Sequence, residues 1–220
     1  MAELCKEFEL HPTQINDWKL MTVRLLGETF SRNSQKRSGR VFATVSQNTT
    51  TREIQVVNKR LVINSAPEAD PLPNLVVDHG KNNDGVGQWV AQEKHRYLST
   101  YIDAARAAAK SRFFSEWVFI DPFCGPGRMR QRNETITRPG GSVVAWRQSQ
   151  ASGTPFGKVF IGDIDSQRST ACEARLLALG APVQRFDGPA AETVLEMVKA
   201  VPARALCLVY IDPYNLALLS

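Results

Sequence analysis

The sequence predicts an α/β fold built around a parallel β-sheet, and three observations carry that expectation. Four short apolar runs rich in β-branched and aromatic residues, 117–120, 158–161, 183–186 and 206–211, recur through the C-terminal half. Helix-compatible segments, 142–150, 166–179 and 190–201, separate them. Each run is followed by an aspartate: Asp121, Asp163, Asp187 and Asp212. Strands joined through helices pair in parallel, because a parallel crossover needs a dozen or more residues, and the resulting sheet is covered on both faces.

Composition agrees with a packed domain. The chain is 43% hydrophobic and 22% charged, enough apolar material for a core and too little charge for disorder throughout. Its longest apolar runs, such as 205–211, fall far short of the roughly 20 residues of a membrane-spanning helix, and the N-terminus lacks the apolar core of a secretory signal. A cytoplasmic protein without membrane association is expected. Cys5, Cys124, Cys172 and Cys207 are scattered with no Cys-x-x-Cys pair, so they read as reduced thiols and no metal site is expected.

In chain order, residues 3–19 read as a helix, a turn at Leu10-His-Pro12, and a second helix that Thr13 would cap. They resemble the helix-turn-helix of insertion-sequence transposases, in which a His-Pro turn precedes a recognition helix ending in Asp-Trp-Lys. That resemblance implies a DNA-binding ancestry for residues 1–20; two short docked or frayed helices are the alternative. Residues 21–85 form a basic polar connector with two loosely alternating candidate strands, 40–45 and 53–62. Nine Lys/Arg stand against two acidic residues between positions 19 and 60, a balance suited to phosphates or to a solvated segment. Pro67, Pro71 and Pro73 break helix and central strand alike, so the ordered domain is expected to occupy 86–220.

Residues 86–110 open that domain as an amphipathic helix, with Trp89, Val90, Tyr97, Leu98, Tyr101, Ile102 and Ala105 on its apolar side. His95 reads as a surface or partly packed residue. After the first strand comes Asp121-Pro-Phe-Cys-Gly-Pro-Gly127, where Gly125 and Gly127 permit a tight turn and close backbone approach to a ligand. Cys124 reads as filler of a small slot. The second strand ends Gly162-Asp163-Ile-Asp165, where a carboxylate can accept from a ribose diol; Asp163 is the nearer candidate and Asp165 the next. From the third, Asp187 could accept from an adenine amine while Phe186 packs near the ring. The fourth ends Tyr210-Ile-Asp212-Pro-Tyr214.

These strand ends resemble the Rossmann-like fold of S-adenosylmethionine-dependent methyltransferases. Asp212-Pro-Tyr214 is similar to the Asp/Asn-Pro-Pro-Tyr signature of enzymes that methylate exocyclic base amines, with one proline fewer. The ordered set Asp-Pro-Phe-x-Gly-Pro-Gly, Gly-Asp-Ile-Asp and Ile-Asp-Pro-Tyr, with Lys94 before it and the Gly-Gly-Ser142 element within it, resembles the three-Cys-motif partner family, TcmP, over residues 86–220. The resemblance implies S-adenosylmethionine as cofactor, bound by Asp121, Gly125, Gly127, Asp163 and Asp187. It places Asp212 and Tyr214 as catalytic residues against a nucleobase or another planar acceptor. It also implies partnership with a three-cysteine-motif protein; a catalytically silent partner of that protein or of DNA is the alternative. Methyltransferase sheets commonly have seven strands, so an incomplete sheet and a truncated chimeric product are expected.

Overall fold

The computed structural model describes residues 66–110 and 114–213. The helix-turn-helix-like segment, the connector as far as residue 65, and Tyr214 lie outside the described residues. Everything described belongs to one compact unit, 49–220.

Four strands form the parallel sheet: β1 (Trp117–Asp121), β4 (Lys158–Asp163), β5 (Val183–Asp187) and β6 (Leu206–Val209), in the order β5-β4-β1-β6. β1 is buried along its whole length, as befits a strand with paired neighbours on both edges and helices on both faces. Its side chains alternate. Trp117 and Phe119 enter a core with Leu98, Ile102, Val143, Trp146, Cys172 and Leu176, whereas Val118 and Ile120 pack with Phe160 and Met197 on the opposite face. Helices α1 (Lys94–Ala109), α2 (Gly141–Ala151) and α3 (Ser166–Ala178) thus cover one face, and α4 (Ala190–Ala200) lies on the other. Phe156 joins the first core through rings at 4.4 Å from Trp117 and 5.2 Å from Phe119. Each such fully buried aromatic contributes about 1.5–3 kcal/mol through the water it sheds.

The first helix departs from expectation. It opens with a π-helical turn, Trp89–Glu93, before α1 begins. An i→i+5 turn displaces the register that a continuous 3.6-residue repeat would keep. The buried face runs through Ala91, His95, Leu98, Ser99 and Ile102, the spacing of one helical stripe, while Tyr97 and Tyr101, a residue earlier than Leu98 and Ile102, turn away and stand 48% and 68% exposed. His95, expected near the surface, is fully buried.

Between β1 and α2 the chain makes a hairpin, β2 (Arg128–Arg130) with β3 (Thr137–Pro139), paired antiparallel. Residues 66–88 run alongside it, with bridges Asp78 to Met129 and Val86 to Gln131 and a bond from Glu68 N to Thr137 O at 3.0 Å. The stretch 66–85, which the prolines assign to the connector, is thereby packed on the α/β layers. Prolines exclude helix and central strand but not an extended arm, and here arginines satisfy the arm's acceptors. Arg175, 3% exposed, donates to Asp70 Oδ2 at 2.7 Å, Val76 O at 2.8 Å and Pro126 O at 2.5 Å. Arg128 pairs with Glu68 and Arg168 with Asp78, both at 2.8 Å. The Arg175 guanidinium holds the Asp70 carboxyl below its ordinary range, against the upward push of burial. No helix among the described residues is long and apolar enough to cross a membrane.

Candidate functional site at the strand ends

The chain proceeds from β1 to β4 and β5 on one side, then returns to place β6 on the other side of β1. The winding direction reverses between β1 and β6, and ligands of parallel α/β sheets bind beyond the carboxyl ends at such a reversal. Asp121, Asp163, Asp187 and Asp212 all lie at these ends, so the topology brings together four of the residues singled out by sequence.

The glycine loop is held from below and from the side. Asp121 is 1% exposed; its Oδ2 accepts from Ser142 Oγ at 2.5 Å and its Oδ1 from Phe123 N at 3.1 Å. Burial pushes its carboxyl up to about 7, against the lowering effect of those two bonds. It sits under the loop as a support and presents no surface to a ligand. Gly127 is also on the inner side: its φ is +70° and a Cβ there would stand 3.0 Å from Cys172 Sγ. Gly140 N bonds Gly127 O at 2.9 Å. A Cβ on Gly140 would meet the Gly127 carbonyl carbon at 2.8 Å, so the two glycines close the base of the hairpin. The hairpin is in effect an insertion in a strand-to-helix turn whose continuous path reads Asp121 to Gly127, then Gly140 to Ser142.

Gly125 occupies the outer side. Its φ is +55°, and a Cβ there would meet only the Arg168 guanidinium, at 3.6 Å. The Gly125 amide donates to Asp163 Oδ2 at 3.0 Å, while Asp163 Oδ1 accepts from Asp165 N at 3.0 Å. Asp163 therefore ties the loop of one strand to the end of the next and keeps further lone pairs for a ligand. Asp165 is committed to capping α3, accepting from Gln167 N at 2.9 Å and Arg168 N at 3.3 Å, which leaves Asp163 the better placed of the two sequence candidates. Asp187 accepts from Ser169 Oγ at 2.5 Å and pairs with Arg185 at 2.8 Å, its side chain remaining 40% exposed.

Past the end of β6, Lys94 Nζ pairs with Asp212 Oδ1, and the Tyr210 hydroxyl donates to Asp212 Oδ2 at 3.0 Å. The lysine comes from the first residue of α1, just after the π turn. Tyr210 stacks on Phe119 at 6.4 Å, and burial, followed by the Asp212 charge, raises its phenol far above the ordinary value. His95 lies in the field of this pair. Burial lowers its imidazole to about 4, with Asp212 pulling the other way, and among the described residues its Nδ1 meets no partner of good hydrogen-bond geometry.

Cys124 and Cys172 are buried free thiols. The hydrogen bond with Cys172, then burial, raises Cys124 well above its ordinary value, which suits a packed thiol and not a nucleophile. Sequence reasoning missed Ser142 as the partner of Asp121, the Arg168 and Arg175 latches, and His95 as a buried group. A signal existed for the hairpin alone: the short runs on either side of Asn133 alternate, and Asn133 adopts φ +65°, a conformation asparagine tolerates in turns. A surface groove bounded by Gly87, Gln88, Gln131, Arg132, Asn133 and Glu134 contains none of the strand-end residues. No family model, curated protein or solved structure matches the chain.

Proposed function

We propose that the α/β unit binds S-adenosylmethionine at the carboxyl edge of its sheet and directs a methyl group to an acceptor held by Asp212. The observation that carries this reading is the clamp between Gly125 N and Asp163, which ties the loop after β1 to the end of β4 at the carboxyl edge of the parallel sheet. The loop leaves backbone accessible at Gly125 and sets carboxylates at the next two strand ends, a donor set that suits a nucleoside with a ribose diol. Asp163 would accept from the ribose hydroxyls and Asp187 from the adenine amine, with Phe186 beside the ring; Asp121 and Gly127 would hold the loop in shape from beneath.

When bound, the cofactor supplies an electrophilic methyl on a sulfonium. The chain's own work is to position the acceptor. Asp212, with Lys94 on one oxygen and Tyr210 on the other, is fixed in orientation yet retains lone pairs that can accept from an acceptor N–H. A nucleobase amine is the acceptor class this favours, and orientation alone supplies much of the rate in such displacements. Tyr214, two residues on, is assigned to stack against the base.

Isothermal titration with S-adenosylmethionine tests the cofactor claim. The intact chain should bind, and Asp163→Ala and Asp187→Ala should each weaken binding by roughly 10- to 100-fold, the loss expected for a charge-assisted hydrogen bond. Equal affinity in all three proteins, or no binding by the intact chain, counts against it. Asp212→Ala should leave cofactor affinity unchanged and abolish methyl transfer. Binding without transfer by the intact chain would point to a silent partner.

A further inference from the structure

We propose that Gly141 is a positioning residue: the space left by its missing side chain lets Tyr210 reach Asp212, and so ties the acceptor-holding carboxylate to the base of the glycine loop. The proposal rests on the reading of Asp212 as the residue that holds the acceptor, and it names what sets that residue's place. Three consecutive residues at the start of α2 carry three separate tasks. Gly140 closes on Gly127, its N–H donating to the Gly127 carbonyl at 2.9 Å. Ser142 holds Asp121 beneath the loop at 2.5 Å. Gly141, between them, faces Tyr210: a Cβ built on it would stand 2.8 Å from the ring's Cε1 and 3.5 Å from Cδ1 and Cζ.

Carbon atoms pack best at about 3.5–4.0 Å, so an alanine at this position would have to displace the ring. The ring has little room to give. Fully buried Phe119 stacks on it, with centroids 6.4 Å and planes 24° apart, and its hydroxyl donates to Asp212 Oδ2 at 3.0 Å. A tilt that relieves the methyl carries the hydroxyl off Asp212, since hydrogen bonds weaken steeply with poor geometry. Lys94 stays on Oδ1, and a carboxylate held by one partner instead of two is free to turn. Backbone freedom is not what calls for glycine here: Gly141 lies outside the left-handed region that Gly125 and Gly127 occupy. A glycine inside a helix costs stability relative to alanine, and at Gly141 the counterpart of that cost is the place of Tyr210. A ligand on the loop and an acceptor on Asp212 are thereby referenced to the same three residues, which is what in-line transfer requires.

Nuclear magnetic resonance of the full chain, isotope-labelled at its aspartate carboxyl carbons, tests this; the Asp212 signal is the one lost in Asp212→Asn. Tyr210→Phe, which keeps the ring and removes the hydroxyl, should move that signal. Gly141→Ala should move it as well, and in the Tyr210→Phe background should add no comparable shift. A signal that Gly141→Ala leaves in place, or moves equally with and without the Tyr210 hydroxyl, overturns the proposal. Thermal melts supply a second readout. Gly141→Ala should lower the melting temperature of the parent but not of Tyr210→Leu, where the ring is gone and alanine suits a helix better than glycine; equal losses in both backgrounds overturn the proposal too. Neither measurement involves S-adenosylmethionine, so their failure leaves the cofactor reading standing. A chain that passes both and does not bind S-adenosylmethionine overturns that reading alone.

Discussion

Two buried titratable residues, Asp121 and His95, place opposite demands on pH. Asp121 has a folded value of about 7 against an ordinary 3.8, so between those values the unfolded chain has released a proton that the folded chain keeps. Its contribution to stability is therefore lost as pH rises through that window. His95 has a folded value of about 4 against 6.5; its contribution is lost as pH falls from 6.5 toward 4. The two slopes oppose each other in the intact protein. Removing one should expose the other: Asp121→Asn should melt at rising temperature as pH goes from 4 to 6.5, and His95→Leu at falling temperature from 4 to 7. Thermal melts of both variants across that range check this, and parallel profiles would contradict it. Of these two, Asp121 was legible in the sequence because its place after an apolar run marks a strand end; His95 falls at i−3 from Leu98 and i−7 from Ile102, on the buried face of the helix, a position that its polar side chain masked.

At the scale of elements, the four strands and the helices between them could be read because each obeys one period. Val-Phe-Ile in β1 and Val-Phe-Ile in β4 are continuous apolar runs of parallel strands, and α3 and α4 fall within a residue or so of their expected ends. The arm and the hairpin could not be read that way. They are stabilised by contacts distant in sequence, such as Arg175 with Asp70 and Val76, and no local pattern encodes a partner about a hundred positions away. Arg175→Met should cost about 3–5 kcal/mol, because it strands Asp70 and two carbonyls in a nearly buried setting. Denaturant unfolding measures the loss, and limited proteolysis should show cleavage shifting into residues 66–88. A variant as stable as the parent would mean the latch contributes nothing. Gly127→Ala should be destabilising by about 1–3 kcal/mol, since an L side chain is strained at positive φ and the new methyl would press on Cys172.

Over the whole described unit, strand order decides what the individual carboxylates mean. The sequence could show that four apolar runs end in aspartate; it could not show that β1 lies between β4 and β6, and only that order sets Asp163 and Asp212 beyond the strands on either side of β1. It also separates roles that looked alike. Asp121 and Gly127 lie beneath the loop as supports, Gly125 and Asp163 form its outer clamp, and Asp212, past the end of β6, already carries Lys94 and Tyr210. Mapping backbone amide shifts in the full chain on addition of S-adenosylmethionine tests the central claim most directly. The account predicts saturable shifts concentrated at Gly125, Asp163 and Asp187, with little change at the amino-terminal ends of the same strands; an absence of shifts, or shifts centred elsewhere, would contradict it.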